Sequence, residues 1–190
     1  MRHSMLSDAE IKGQMEEGNI LIDPYFNSQL NSNSYDVRLG EWFFRQKQYY
    51  AGRPTIRYGT SDAFNLMWDK PIKADELIVV RARETILCHT EEFIGGMNII
   101  TTEMKAKSTT GRHCLSVCKC AGLGDVGYVS RWTMEMTNDS DFDVSIEVGE
   151  RIAQITFHNV GLTESQYTGR YGKTRAEWTP LDMLPKPKKS

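Results

Sequence analysis

Apolar residues recur along this chain with two periods. A helical spacing near the start gives way to alternation at every second position over most of the remainder. Ser7, with Glu10 three residues on, forms a capping box in which hydroxyl and carboxylate satisfy the first free amides of a helix. Leu6 and Ile11 fit the hydrophobic staple around that cap, Ile11 and Met15 mark one face, and Gly18 supplies the stop. Eight short strand-like runs follow: "YDVRLG", "EWFFRQ", "LIVVRA", "MNIITTEM", "HCLSVCKC", "SRWTMEMT", "DVSIEV" and "RIAQITF". Turn-forming stretches such as "NDSD" and "EVGE" separate them. Strands at this spacing predict an all-β sandwich or barrel with a short N-terminal helix. Residues 49–73 lack periodicity and read as a long irregular excursion. The ending "PLDMLPKPKKS", with three prolines and three lysines, reads as a mobile tail.

Four segments carry chemistry. In "SRWTMEMT", Trp132, Met134 and Met136 point one way and Thr133, Glu135 and Thr137 the other. The first set is the core face, so Glu135 looks outward, and by itself it reads equally as a solvated surface carboxylate. "GLGDVGY" brings three glycines that let backbone approach a ligand, with Asp125 as a fixed acceptor and Tyr128 as an aromatic plane. Such a hairpin can cradle a nucleoside, and it can equally be a tight turn with an exposed tyrosine. "KAKSTTGR" gathers Lys105, Lys107 and Arg112 with the hydroxyls of Ser108, Thr109 and Thr110, and contains no acid. That mixture suits a polyphosphate, or is simply a solvated basic loop. "YTGRYGKTR" repeats it after the last strand, where a Gly-containing basic segment can fold over a ligand as a lid or remain a basic tail.

Composition narrows the class. With 190 residues, 39% hydrophobic and 25% charged, the chain fits one soluble domain. A formal net charge of -2 gives no general attraction to nucleic acid. No apolar run approaches the roughly 20 residues that span a bilayer, and "MRHSMLSDAEIK" lacks the apolar core of a secretory signal. A cytoplasmic protein without membrane or nucleic-acid partners is expected. Of the four cysteines, Cys114, Cys118 and Cys120 are spaced by three residues and one, unlike zinc knuckles, and are expected to share the buried face of one strand as reduced thiols. The chain also lacks the H-x-E…P-C-x-x-C signature of zinc nucleobase deaminases.

Taken in order, "SYDVRLG", "KSTTGR", "AGLGDVGY" running into "MEMTN", "GERIAQ" and the Tyr-rich basic tail resemble the dCTP deaminase and dUTPase superfamily. Within it the pattern is most similar to dCTP deaminases, whose opening also matches "LSDAEIKGQMEEGNILIDP". The resemblance spans Met5 to about Arg175, leaving the excursion near residues 49–73 unmatched. It implies a distorted jelly-roll-like barrel of dUTPase type, one domain over residues 1–175 with 176–190 as tail, assembled as a homotrimer with sites shared between subunits. It implies Glu135 as the proton shuttle, with Ser108 and the backbone at Ala121 positioning water and Arg112 polarising the site or holding phosphate. Nucleotide contacts fall on Lys107, Thr109, Ala121, Gly122, Asp125, Tyr128, Gln154, Tyr167, Arg170, Tyr171 and Lys173.

The implied reaction is hydrolytic deamination of dCTP to dUTP and ammonia without zinc or any other protein-bound metal. Mg2+ arrives on the triphosphate, and a bifunctional variant also hydrolyses dUTP to dUMP and diphosphate. Gly122 after Ala121 is similar to the bifunctional relatives. A dUTP diphosphatase without deamination, and a non-catalytic nucleotide-binding module, remain alternatives on the same scaffold. Lys107 stands where the family has Arg, and Thr110 and Gly111 are atypical. Gly124 stands where Ile is common, which is expected to loosen the hairpin. Such drift fits a divergent member, a viral one included.

Overall fold

The computed structural model describes residues 4–186, without the side chains of residues 61–63. Helix α1 (Asp8–Glu16) starts as its sequence dictates. Ser7 Oγ accepts from the Glu10 amide at 3.3 Å, and a Glu10 carboxylate oxygen accepts from the Ser7 amide at 2.8 Å. Leu6 and Ile11 are buried, and Gly18 turns the chain out of the helix at φ +75°.

The strands, in chain order, are β1 (Ile20–Asp23), β2 (Leu30–Asn31), β3 (Ser34–Arg45), β4 (Ile72–Lys73), β5 (Leu77–Val80) and β6 (Thr85–Gly96). They continue with β7 (Ile100–Ala106), β8 (Leu115–Ser116), β9 (Leu123–Gly124), β10 (Val129–Asn138), β11 (Val144–Glu147) and β12 (Arg151–Asn159). Two short helices interrupt them, α2 (Ser61–Met67) and α3 (Ser108–Arg112). The main sheet runs β8-β10-β6-β3-β12-β7-β9, with β1 added to β6 and with β2 and β4 added to β3; β5 and β11 form a separate pair. Its ladders are antiparallel, and the sheet curls into a distorted barrel around a core that includes Tyr35, Leu39, Ile86, Trp132, Met134, Met136, Ile155 and Phe157.

Three features depart from the pattern-based expectation. "YDVRLG" and "EWFFRQ" join as the single strand β3, whose pairing to β6 shifts between Leu39 and Phe43. Gly40 allows that bend, since a Cβ there would lie 2.0 Å from the ring of buried His89. The second is β6 itself, "TILCHTEEFIGG", which alternation did not reveal because buried polar residues break it. Tertiary bonds satisfy them. His89 Nε2 accepts from the Trp42 amide at 3.2 Å, and Thr90 Oγ1 donates to the Glu92 carbonyl at 2.8 Å. The buried Glu92 carboxylate accepts from the Arg38 amide at 2.9 Å and from Gln29 at 3.0 Å.

The third departure is "HCLSVCKC", which is not a strand beyond Leu115–Ser116. Cys114, Cys118 and Lys119 adopt positive φ, so the chain coils. Cys118 is buried, Cys114 and Cys120 are exposed, and the expected shared face does not exist. Among the described residues no group of three His, Cys, Asp or Glu is placed to hold a metal ion, and no helix is long and apolar enough to cross a membrane.

The segment read as a mobile tail packs against the barrel as far as Lys186. Trp178 lies 4.6 Å from the His89 ring, and Arg131 sits 4.9 Å over its indole. A 3-10 turn over Pro180–Met183 then buries Met183 against Phe44, Trp68 and Leu87. Residues 187–190, the rest of that reading, lie outside the described residues.

Candidate active site

Alternation along β10 puts Ser130, Trp132, Met134, Met136 and Asn138 inside, with Arg131, Thr133, Glu135 and Thr137 on the other face. Glu135 therefore faces outward as expected, but not into open solvent. The excursion, the hairpin after Ala121 and the C-terminal segment all wrap over it, enclosing a pocket of about 550 Å³. The Glu135 Oε2 atom is buried and has no hydrogen-bond partner. Burial raises its pKa, opposed by its own backbone amide and by the charge of Lys119. A carboxylate in this condition holds a proton closer to neutral pH than an ordinary one, which is what a group that both takes and returns protons requires.

The hairpin supplies one wall. Gly127, at φ +91°, closes the turn, while its amide donates to the Gly96 carbonyl at 2.8 Å and the Tyr128 amide donates to the Asp125 carbonyl at 2.9 Å. Asp125 is exposed and lines the pocket beside Ala121 and Tyr128. The Tyr128 ring meets Trp132 and Tyr167 edge-on, each at 5.2 Å. Burial, chiefly, raises the pKa of its hydroxyl. The hairpin is not loosened by Gly124. A Cβ there would fall 2.3 Å from Thr102 Oγ1 and 2.5 Å from the Trp132 ring, so the indole already fills the space an isoleucine would take. Gly122 is similarly confined, since a Cβ there would lie 2.5 Å from the Met104 carbonyl oxygen.

Tyr167 and Tyr171 line the same pocket. Tyr167 Oη accepts from the Tyr171 amide and Tyr171 Oη from the Lys186 amide, both at 3.0 Å, which ties the lid-like segment to the strap beyond it. Arg170 is engaged in that strap through the Lys186 carbonyl at 2.9 Å. Lys173 lines a neighbouring groove of about 460 Å³ that shares Tyr167.

The expected phosphate loop lies elsewhere on the chain. Ser108, Thr109 and Arg112 are exposed on α3, and none of them lines the Glu135 pocket. Lys107 pairs with buried Asp36, and with Thr109 it borders a separate depression of about 510 Å³. Gln154 lies on β12 between Asp36 and Lys105. Within one chain, then, the nucleoside-facing residues converge while the phosphate-facing ones stand apart. Sequence reading missed Met67, Trp68, Leu87 and Met183, which complete the pocket. Trp68 and Met67 came from the aperiodic excursion and Met183 from the presumed tail, so no local signal marked them.

The family model described as "dCTP deaminase-like" matches residues 5–160. A "dCTP deaminase, dUMP-forming" of Methanopyrus kandleri is 32% identical over 183 residues, covering 93% of each chain. A protein of the same description from Methanosphaera stadtmanae is 29% identical, over 83% of this chain and 80% of its own. Among solved structures, the 2'-deoxycytidine 5'-triphosphate deaminase from Agrobacterium tumefaciens superposes with a TM-score of 0.64 at 19% identity. That alignment covers 84% of this chain and 49% of the other, so the present chain spans about half the length of that one. On the match over most of its length, the chain belongs to the dCTP deaminase-like family.

Proposed function

We propose that the protein deaminates dCTP, with Glu135 as the proton carrier. The observation that carries this reading is a buried carboxylate oxygen without a partner, on a residue that lines one pocket with Ala121, Asp125 and Tyr128 of the glycine-rich hairpin. Water attacks C4 of the cytosine as Glu135 takes its proton. Glu135 passes that proton to N3, then takes the remaining proton from the new C4 hydroxyl and delivers it to the exocyclic amine; the C4–N bond breaks, and ammonia leaves a uracil carbonyl. Asp125 accepts from a sugar hydroxyl, Tyr128 packs on the sugar, and Tyr167 and Tyr171 cover the pocket and exclude water. Mg2+ enters as part of the substrate, chelated by the triphosphate.

The exposed position of Ser108 and Arg112, away from their own Glu135, supports a homotrimer in which a neighbouring subunit brings them to the site. Lys107 and Thr109 border the same corner, where Lys107 offers a point charge in place of the planar fork of an arginine. The names of the relatives favour a second step, in which dUTP is cleaved to dUMP and diphosphate. The test is to incubate the protein with dCTP and Mg2+ and to separate dUTP, dUMP, ammonia and diphosphate. Ammonia equal to the nucleotide consumed is expected, with uracil accumulating as dUMP. Diphosphate released from dUTP with no ammonia from dCTP would assign the chain to the diphosphatases instead.

A further inference from the structure

Tyr171 lines the Glu135 pocket from a stretch that belongs to no strand or helix. On one side it is tied to the hairpin through Tyr167, whose amide donates to the Val126 carbonyl at 2.7 Å and whose hydroxyl accepts from the Tyr171 amide. On the other side the tie is Lys186. The Lys186 amide donates to Tyr171 Oη at 3.0 Å, and the Lys186 ammonium lies 5.6 Å from the centroid of the same ring. That ammonium also donates to the Arg170 carbonyl at 2.9 Å, while the Arg170 guanidinium donates to the Lys186 carbonyl. One residue thus grips two consecutive lid residues through its amide, its carbonyl and its side chain.

Lys186 is itself anchored to the barrel. Its ammonium donates to one oxygen of Asp182 at 2.8 Å, and the other Asp182 oxygen accepts from the Thr179 amide at 2.9 Å and the Thr179 hydroxyl at 3.1 Å. Asp182 belongs to the 3-10 turn whose Met183 is buried against Phe44, Trp68 and Leu87. Met183 and Pro185 line the Glu135 pocket together with Tyr171. A continuous path therefore runs from the barrel through Met183, Asp182 and Lys186 to the ring at the pocket. The apolar burial of Met183 docks the turn without help from the ammonium. The Lys186–Asp182 pair is 26% and 14% exposed by side chain, and partly exposed pairs contribute little to stability. What the ammonium does fix is the lid relative to the turn.

We propose that Lys186 is a positioning residue for the reaction and acts through Tyr171. It holds the lid in the closed arrangement that receives the nucleotide, so that binding does not have to order it. The inference rests on the deamination reading above and adds the residue that sets how large a share of molecules is ready to bind. Apparent affinity falls in proportion to that share. Loss of the ammonium should therefore weaken dCTP binding and leave the chemical step alone, because a bound nucleotide keeps the lid closed.

The experiment measures kcat and KM for ammonia release from dCTP with Mg2+, and the Kd of dCTP by calorimetry, for the full chain and for Lys186→Met, which keeps an unbranched apolar stem. KM and Kd should each rise about 10-fold, the scale of losing a hydrogen bond from a charged donor. The kcat and the urea midpoint should stay close to wild type. In a Tyr171→Ala background, the effect of Lys186→Met on Kd should shrink toward none. Unaltered KM and Kd in folded Lys186→Met, a loss confined to kcat, or an undiminished effect without Tyr171 overturns the inference and leaves deamination intact. Should Lys186→Met fail to fold, Asp182→Asn, which releases the ammonium and keeps an oxygen for Thr179, takes its place with the same rise expected. A wild type that binds dCTP but releases no ammonia sinks the deaminase reading, and Kd alone then decides the role of Lys186. No binding of dCTP by the wild type sinks both.

Discussion

Replacing Glu135 by glutamine should make the protein more stable and far less active, and the structure sets the size of both effects. The substitution keeps side-chain length and removes the charge. Glu135 Oε2 is a buried acceptor with no partner, a condition that costs about 1–3 kcal/mol and more for a charged group. A neutral amide should recover on the order of 1 kcal/mol, since it still lacks a full set of partners. For a chain of this length that is about 2–4 °C in Tm. The sign with pH follows from burial. Because the folded pKa is raised above the ordinary 4.5, the folded protein binds more protons than the unfolded one between those two values. Wild-type stability is therefore full below the ordinary value and declines as pH rises through the raised one. The advantage of Glu135→Gln should open toward pH 8 and close toward pH 4. Deamination should meanwhile fall by about 10²–10⁴-fold, the loss typical of a missing general base. Thermal melts across that range, paired with an ammonia assay, check both halves. A variant that melts below the wild type at pH 8, or a difference indifferent to pH, refutes the account of Glu135 as a destabilising buried carboxylate. Near-normal ammonia release refutes its role in proton transfer.

Three further outcomes are expected. Glu135→Ala and Arg112→Ala, each inactive alone, should regain ammonia release when unfolded together and reassembled, because a mixed trimer can pair an intact Glu135 with an intact Arg112; confirmed hetero-trimers without activity would refute the shared site. Met183→Ala should cost about 2–5 kcal/mol by emptying the space among Phe44, Trp68 and Leu87, seen as a lower urea midpoint, and an unchanged midpoint would mean the strap contributes nothing to stability. His89, whose pKa burial pushes down to about 4, should stay neutral at pH 5.5 by NMR, with its stability contribution complete above 6.5 and lost as pH falls toward 4. An imidazole that titrates near 6.5 in the folded state would contradict its sealed position between Trp42 and Trp178.

The helix, β10 and the hairpin were legible because each is specified locally: a capping box, a strict alternation, and glycines spaced for a turn. Glu135, Asp125, Ala121, Tyr128, Tyr167 and Tyr171 accordingly gather where their order along the chain implied, in one pocket. What stayed hidden depends on partners distant in sequence. β6 reads as polar because His89, Thr90 and Glu92 take partners distant in sequence, Trp42, Trp132, Arg38 and Gln29. The cysteine-rich stretch alternates like a strand but coils through positive φ at Cys114 and Cys118. Gly124 reads as slack until Trp132 is seen against it, and Trp68 and Met183 acquire meaning only from the face they cover together.

The interrupted alternation of β6 also matters before the chain is folded. Its neighbours in the sheet lie far along the sequence on both sides, Leu39 opposite Thr90 and Glu135 opposite Leu87. During synthesis β6 is therefore complete while the strand that will cover one of its edges has yet to be made. A twelve-residue apolar strand waiting in that state would be an inviting template for another copy of itself. Charge at Glu91 and Glu92 and the polar His89 and Thr90 break the run, as gatekeeper residues do in aggregation-prone segments. They cease to be a burden once Arg38, Gln29 and the β10 backbone arrive to bind them. The residues that disguise this strand in the sequence are thus the ones that keep the nascent chain from pairing with the wrong partner.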